Sequence, residues 1–207
     1  VAEKIAVGEQ ALLIASGVAL DVFVDQAELV PGEPMKLSIA LWNAGPNAVR
    51  PLRLETAGEL GRTLPAAAGF AEQLAAHAEI APGELVRFEQ TLEVSPGARP
   101  SRPYFLERAR RDGLYDWSAA AEADRGEPFG TPVLAGRVTL ELGGRAVKFD
   151  REAVYRYADQ ARGEIRRPVV VVPRLELRVA PDVAVWPNGG PAPEIAVDLA
   201  SHLSAAL

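Results

Sequence analysis

The sequence predicts a mainly β protein: β-sandwich modules in tandem, preceded by a short N-terminal helix. Three observations carry this. Apolar side chains recur at every second position in several stretches, which is the period of a strand with one covered face. Two of those stretches begin directly after the same turn, Pro31-Gly32-Glu33 and Pro82-Gly83-Glu84. The 207 residues include 17 prolines and 18 glycines, which suit short strands joined by turns better than long helices.

The elements follow in order. Residues 3–17 read as a short helix in which Ile5, Leu12 and Leu13 share a face and Gly17 ends the run. Leu20, Val22 and Val24 then alternate with Asp21, Phe23 and Asp25, predicting the first strand. After the first Pro-Gly turn, Met35, Leu37, Ile39 and Leu41 alternate with Lys36, Ser38, Ala40 and Trp42. The cluster Asn43 to Asn47 is a turn, and Val49, Leu52 and Leu54 mark a third strand that Pro51 weakens or bulges. Residues 57–80 are rich in alanine and read either as a helical turn or as a long loop. Val86, Phe88, Leu92 and Val94 restore the alternation, with Gln90 as its one polar interruption.

Ser95 to Pro103 is turn-rich and forms a corner or boundary. Further on, Val138, Leu140 and Leu142, then Gly143-Gly144, then Val147 and Phe149 give the clearest hairpin signal in the chain. Pro168 to Pro173 is a fully apolar strand closed by prolines, and "RLELRV" alternates again. Trp186 to Pro193 reads as a linker, and "EIAVDLASHL" as the first strand of something further. The expected organisation is therefore a helical linker (1–17), an Ig-like sandwich (18–106), a second sandwich (107–190) and the start of a following module (191–207). The chain begins at Val1 without a signal segment and reads as a piece of a longer protein.

Composition bounds the chemistry. A net charge of -6 argues against a nucleic-acid partner, because a phosphate backbone needs a positive surface. With no cysteine, disulfides, thiolate metal sites and a cysteine nucleophile are excluded. No apolar run reaches the roughly 18 residues of a membrane span. Both Pro-Gly-Glu copies precede period-two runs. A phosphate-cradling loop needs more glycines and a following helix, so these are strand-launching turns.

The two histidines, His77 and His202, lack metal-ligand spacing, so no metal site or cofactor is expected. None of the serines lies in a Gly-x-Ser-x-Gly elbow. The carboxylate pairs Asp21/Asp25 and Asp112/Asp116 read as solvated faces. Tyr155, Tyr157 and Asp159, with Arg162, Arg166 and Arg167, read either as a polar platform for a sugar or carboxylate or, the favoured reading, as a structural anchor resembling a tyrosine corner with nearby ion pairs. A binding surface is best sought in "RPYFLERARRDGLYDW", which gathers aromatic and arginine side chains without periodicity. Tyr104, Arg110, Tyr115 and Trp117 are its candidate ligand-binding residues: aromatic faces stack on sugar rings and arginine forks grip carboxylates. The competing expectation is that these aromatics plug the end of a sandwich, each contributing about 1.5–3 kcal/mol by leaving water.

Taken together, "VPGEPMKLSIALWNAG", "APGELVRFEQTLEVSPGARPSRPYFL", "LYDW", "GEPFGTPVLAGRVTLELGG" and "VYRYADQARGEIRRPVVVVP" resemble the region that follows the catalytic domain in large bacterial LmbE-like proteins, the PIG-L-type N-acetylglucosaminyl deacetylases. The resemblance covers most of residues 10–190. It implies Ig-like modules beside a zinc-dependent deacetylase in the same polypeptide, in an exported bacterial protein. That deacetylase is marked by a His-Pro-Asp-Asp motif, and this sequence contains neither the motif nor any Asp-Asp pair. No catalytic or metal residue can be carried over. The expectation is a non-catalytic accessory region that positions a neighbouring catalytic domain or holds a glycan or partner. The alternatives are a structural spacer, or a hydrolase whose site the sequence hides.

Overall fold

The computed structural model describes residues 2–61, 68–185, 188–190 and 194–204. A helix opens the chain, α1 (Ala2–Ser16), and ends where Gly17 takes a left-handed φ of 72° and donates its amide to the Ile14 carbonyl. Of the three apolar residues expected to share its buried face, only Leu13 is buried, while Ile5 and Leu12 stay exposed.

The strands of the body are β1 (Val18–Val24), β2 (Glu28–Leu29), β3 (Pro34–Asn43), β4 (Arg50–Ala57), β5 (Leu85–Glu93), β6 (Ala135–Leu142), β7 (Arg145–Asp159), β8 (Gly163–Pro168) and β9 (Val170–Val171). Both Pro-Gly-Glu segments are the turns the sequence predicts. Gly32 and Gly83 have φ of 83° and 81°, and the amides of Glu33 and Glu84 close onto the carbonyls of Val30 and Ala81. Gly143 and Gly144, both at positive φ, join β6 to β7 as a tight hairpin. Pro51 sits at a register shift between β4 and β6, as its missing donor requires.

Seven of these strands form one sheet in the order β4-β6-β7-β1-β3-β5, with β8 also on β7. The long strand β7 is its corner. Residues 145–152 pair antiparallel with β6, residues 153–155 pair parallel with β1, and residues 154–159 pair with β8. The sheet is strongly curled. In a flat sheet β6 and β3 would lie roughly 14 Å apart, three strand spacings. Instead, a Cβ placed on Gly136 of β6 would meet Val22 Cγ2 at 2.7 Å and Ile39 Cδ1 at 3.2 Å. The β6 end of the sheet therefore lies over the β1–β3 end, and glycine at 136 permits the approach.

Between these faces sits one hydrophobic cluster. Met35, Leu37, Ile39, Leu41 and Phe88 from one side meet Leu54, Val138, Leu140, Val147 and Phe149 from the other. The alternation read from the sequence is thus borne out in β1, β3, β5, β6 and the first part of β7, while Leu52 of β4 stays exposed. Strands on both sides of the 106/107 boundary share a single sheet and core. Alternation reports which face of a strand is covered. It carries no information about which strand lies alongside.

Residues 57–80 contain two short helices, α2 (Gly58–Gly61) and α3 (Ala68–Ala76), while 62–67 lie outside the described residues. Phe70 of α3 is buried in the core, and Gln73 serves the sheet edge. Its side-chain amide donates to the Glu89 carbonyl at 2.7 Å and accepts from the Glu89 amide at 2.9 Å, standing in for the missing neighbour of β5. Asn43 is buried and satisfied: its amide donates to the carbonyls of Asn47 and Ile80 and its oxygen accepts from the Gly45 amide. Parallel pairing of β2 with β9 ties Val169 and Val171 into the core, so only part of the Pro168–Pro173 run is strand. The chain then leaves the body and forms an antiparallel pair, β10 (Leu175–Ala180) and β11 (Ala196–Ser201). The linker expected at Trp186–Pro193 lies partly outside the described residues.

Candidate functional site

Roughly 40 residues separate β5 from β6, far beyond the 12–15 at which loops become uncommon and often functional. The insertion is stapled to the body near its start, where the Ser101 amide donates to the Val171 carbonyl and the Val171 amide donates to Ser101 Oγ, both at 2.9 Å. Two 3₁₀ turns, Tyr104–Leu106 and Glu122–Asp124, give it its only regular structure. Between them, Arg111 and Leu114 close a tight turn on Asp112 (φ 49°) and Gly113 (φ 83°).

The four residues singled out from sequence are brought together here. Tyr104 meets Trp117 edge-on at 6.0 Å and Phe105 at 5.4 Å. Phe105 meets Tyr115 at 5.5 Å, and the Arg110 guanidinium lies 5.5 Å from the Tyr115 ring centre. The result is a row, Arg110–Tyr115–Phe105–Tyr104–Trp117. Tyr104 is its fixed point: its hydroxyl donates to the Glu127 carbonyl at 2.9 Å and accepts from the Gly126 amide at 3.3 Å. Arg108 faces Asp116 at 3.5 Å. Asp116 is held below its ordinary carboxylate range, first by hydrogen bonds from the Ser118 hydroxyl and amide and then by Arg108.

The row is not a plug. Tyr115 and Trp117 remain 45% and 42% exposed, and the insertion places none of its aromatic rings in the core. Three apolar side chains that sequence reasoning passed over stand on the same segment: Leu106, Leu114 and, most exposed of the three at 85%, Phe129. No periodicity marks them, so only their place in an irregular segment could have flagged them. Beside Tyr104 opens a cleft of about 300 Å³, walled by Arg102, Glu107 and Asp124 from the insertion and by Glu59 from α2. Asp124 is fixed there by accepting the Thr131 amide and hydroxyl, both at 2.8 Å.

The second dense segment, residues 155–167, is tied into ion pairs, ring contacts and a turn. Arg156 lies 3.9 Å above the Phe23 ring, and Arg166 binds Glu164 at 2.8 Å and Asp21 at 3.0 Å. Those hydrogen bonds, Glu164 first, raise the pKa of Arg166. This cover explains why Phe23, on the solvent side by alternation, is buried. Tyr155 and Tyr157 stack at 5.9 Å, and Asp159 accepts the amides of Ala161 and Arg162 in the β7–β8 turn. Asp25 accepts the Lys36 amide. Asp21 and Asp25, read from sequence as a solvated face, are thus each engaged by other groups. His77 packs edge-on against Phe88, and His202 lies 3.4 Å from Glu176 at the base of the β10–β11 pair. Among the described residues, no group of three or more metal-ligating side chains is placed to hold an ion, and no helix is long and apolar enough to cross a membrane.

No protein-family model, curated protein or solved structure matches this chain.

Proposed function

We propose that this chain is a non-catalytic accessory region: an Ig-like β module that holds a glycan on its long insertion and positions a neighbouring catalytic domain of the same polypeptide. The observation that carries it is the aromatic row, fixed by Tyr104 yet left exposed at Tyr115 and Trp117. Exposed, pre-ordered rings bind sugar faces at low entropic cost, because little freedom remains to be lost. The polar cleft next to Tyr104 supplies carboxylates and a guanidinium for hydroxyl groups.

The Ig-like assignment of the body is supported by its two antiparallel groups. β1, β3 and β5 face β4, β6 and the first part of β7 across a shared core. Support for an accessory role comes from the carboxylates, which serve turns and ion pairs. The resemblance to the region following LmbE-like deacetylase domains points to a carbohydrate context and to an exported bacterial protein.

A glycan array with the purified chain tests this. Clear hits that vanish in Tyr115→Ala/Trp117→Ala, with the melting transition unchanged, are expected. A silent array would favour the second reading, a structural spacer, for which the mutual edge contacts of the rings speak. One equivalent of tightly held zinc in the purified protein would instead revive a hydrolase.

A further inference from the structure

The tripeptide Pro-Gly-Glu folds the same way twice and is used differently. In both copies a pair of backbone hydrogen bonds wires the turn to another strand end. The Gly32 amide donates to the Val94 carbonyl at 2.8 Å and the Val94 amide to the Glu33 carbonyl at 2.9 Å. The Gly83 amide donates to the Asn43 carbonyl at 2.6 Å and the Asn43 amide to the Glu84 carbonyl at 2.9 Å. Beyond that shared frame the copies part. Glu84 turns its carboxylate back onto its own turn, where it accepts the Ala81 amide at 2.8 Å. Among the described residues, nothing stands within 4 Å of a Cβ placed on Gly83. In the first copy all three residues meet the segment that carries the β10–β11 pair. The Pro31 carbonyl accepts from Arg174 Nε at 2.9 Å, Arg174 Nη2 lies 2.6 Å from a Cβ placed on Gly32, and the Glu33 carboxylate accepts the Ser204 hydroxyl.

We propose that the first Pro-Gly-Glu turn is a rigid joint: it holds the β10–β11 pair in one orientation on the body, so that the two move as one piece. Packing along the pair contributes little to this, because every residue of both strands is exposed. The base does the holding. Arg174 stands just before β10 and Ser204 just after β11, and the His202 amide ties the two ends by donating to the Arg174 carbonyl at 3.0 Å. Both ends of the pair therefore grip one turn, and two points of attachment remove the swivel that one would leave. The approach to the joint has no slack either. The amides of Val170 and Val172 donate to the carbonyls of Ala27 and Leu29, both at 2.9 Å. Only Pro173 then precedes Arg174, and its ring fixes φ at about −65°. The guanidinium bond is charge-assisted, roughly twice as strong as a neutral one. Glycine at 32 leaves room for that guanidinium, which a side chain there would push aside. The joint is independent of the aromatic row and stands whether or not a glycan binds there.

Distances between pairs of nitroxide spin labels test this, and the absence of cysteine leaves the labelled positions unambiguous. Arg178 on the pair, and Arg87 and Lys148 on the body, are exposed and suit labelling through cysteine. Labels at Arg178→Cys and Arg87→Cys should give one narrow distance distribution. Arg174→Ala combined with Ser204→Ala should roughly double its width, while labels at Arg87→Cys and Lys148→Cys keep theirs. The two glycines supply the control. Their φ values are 83° and 81°, so alanine strains both turns alike. Gly32→Ala also displaces Arg174 and should widen the distribution, whereas Gly83→Ala should leave it narrow. A broad distribution in the chain with its native joint overturns the proposal. So does a width that Arg174→Ala with Ser204→Ala leaves unchanged, or equal broadening by the two glycine variants.

Discussion

Strands β3 and β10 are written in the same code and meet opposite fates. Met35, Leu37, Ile39 and Leu41 alternate with small or polar residues and are sealed in the core, whereas Leu175, Leu177 and Val179 alternate as cleanly and stay in water. Nothing within either strand separates them. What differs is the company: β3 has β1 and β5 on its flanks and the β6–β7 hairpin over its face, while β10 has β11 alone. A period of two therefore states which side of a strand will be covered once a cover arrives, and leaves the cover to the rest of the polypeptide or to a partner.

The largest effects should separate these two strands. Replacing Ile39 by Ala removes a buried side chain from between two packed layers and should cost about 2–5 kcal/mol in denaturant unfolding. Leu177→Ala should shift the same transition by less than about 0.5 kcal/mol, measured where the chain is monomeric. Comparable losses at the two positions would mean that the hairpin is part of the body after all. Next in size is Gly136→Ala. Its new Cβ would press on Val22 Cγ2 at 2.7 Å, and overpacking of this kind typically costs about 1–3 kcal/mol. A neutral substitution would mean that the β6 and β1–β3 parts of the sheet do not face each other so closely.

Smaller effects sharpen the contrast between body and insertion. Gln73→Ala removes two hydrogen bonds to the β5 edge at a partly solvated site, and a loss of about 1 kcal/mol is expected. Amide exchange at Glu89 should speed up with it, and unchanged exchange would rule out the edge-capping role. The smallest effect is that of Asp116. Its folded pKa is depressed, so its ionised form is the one that the Ser118 hydrogen bonds favour. The stabilisation is complete above the unfolded value and disappears as pH falls through the folded one. A carbon-detected titration of the Asp116 carboxyl should give a midpoint below the ordinary 3.8, and Ser118→Ala should move it back up. A midpoint at or above 3.8 in the intact chain would remove the turn from the account.

Much of the body was legible from residues alone. The Pro-Gly-Glu turns, the Gly143-Gly144 hairpin, the irregularity at Pro51 and the inward faces of β1, β3, β5 and β6 follow from local dihedral preferences and period-two burial. The pairing of β7 with β1 did not, because it depends on contacts between segments more than a hundred residues apart, and no local pattern encodes those. Gln73 and Asn43 were missed for a related reason: each serves backbone groups outside its own element. In the insertion, density of aromatic and arginine side chains was enough to find Tyr104, Arg110, Tyr115 and Trp117. Their order along the row, and the exposed Phe129 beside them, came only from the fold of an irregular segment.

The parallel pairing of β1 with β7 joins the two halves, as do the pairings of β4 with β6 and of β2 with β9, and the absence of cysteine makes it easy to probe. Val22 and Ala153 are register partners across that pair. Val22→Cys combined with Ala153→Cys should oxidise readily to one intramolecular disulfide, lowering the mass by two hydrogens and preserving a single cooperative unfolding transition, because neighbouring strands hold Cα atoms within disulfide reach. A pair that resists oxidation in the folded chain, or two separate unfolding transitions for residues 18–106 and 107–171, would contradict it.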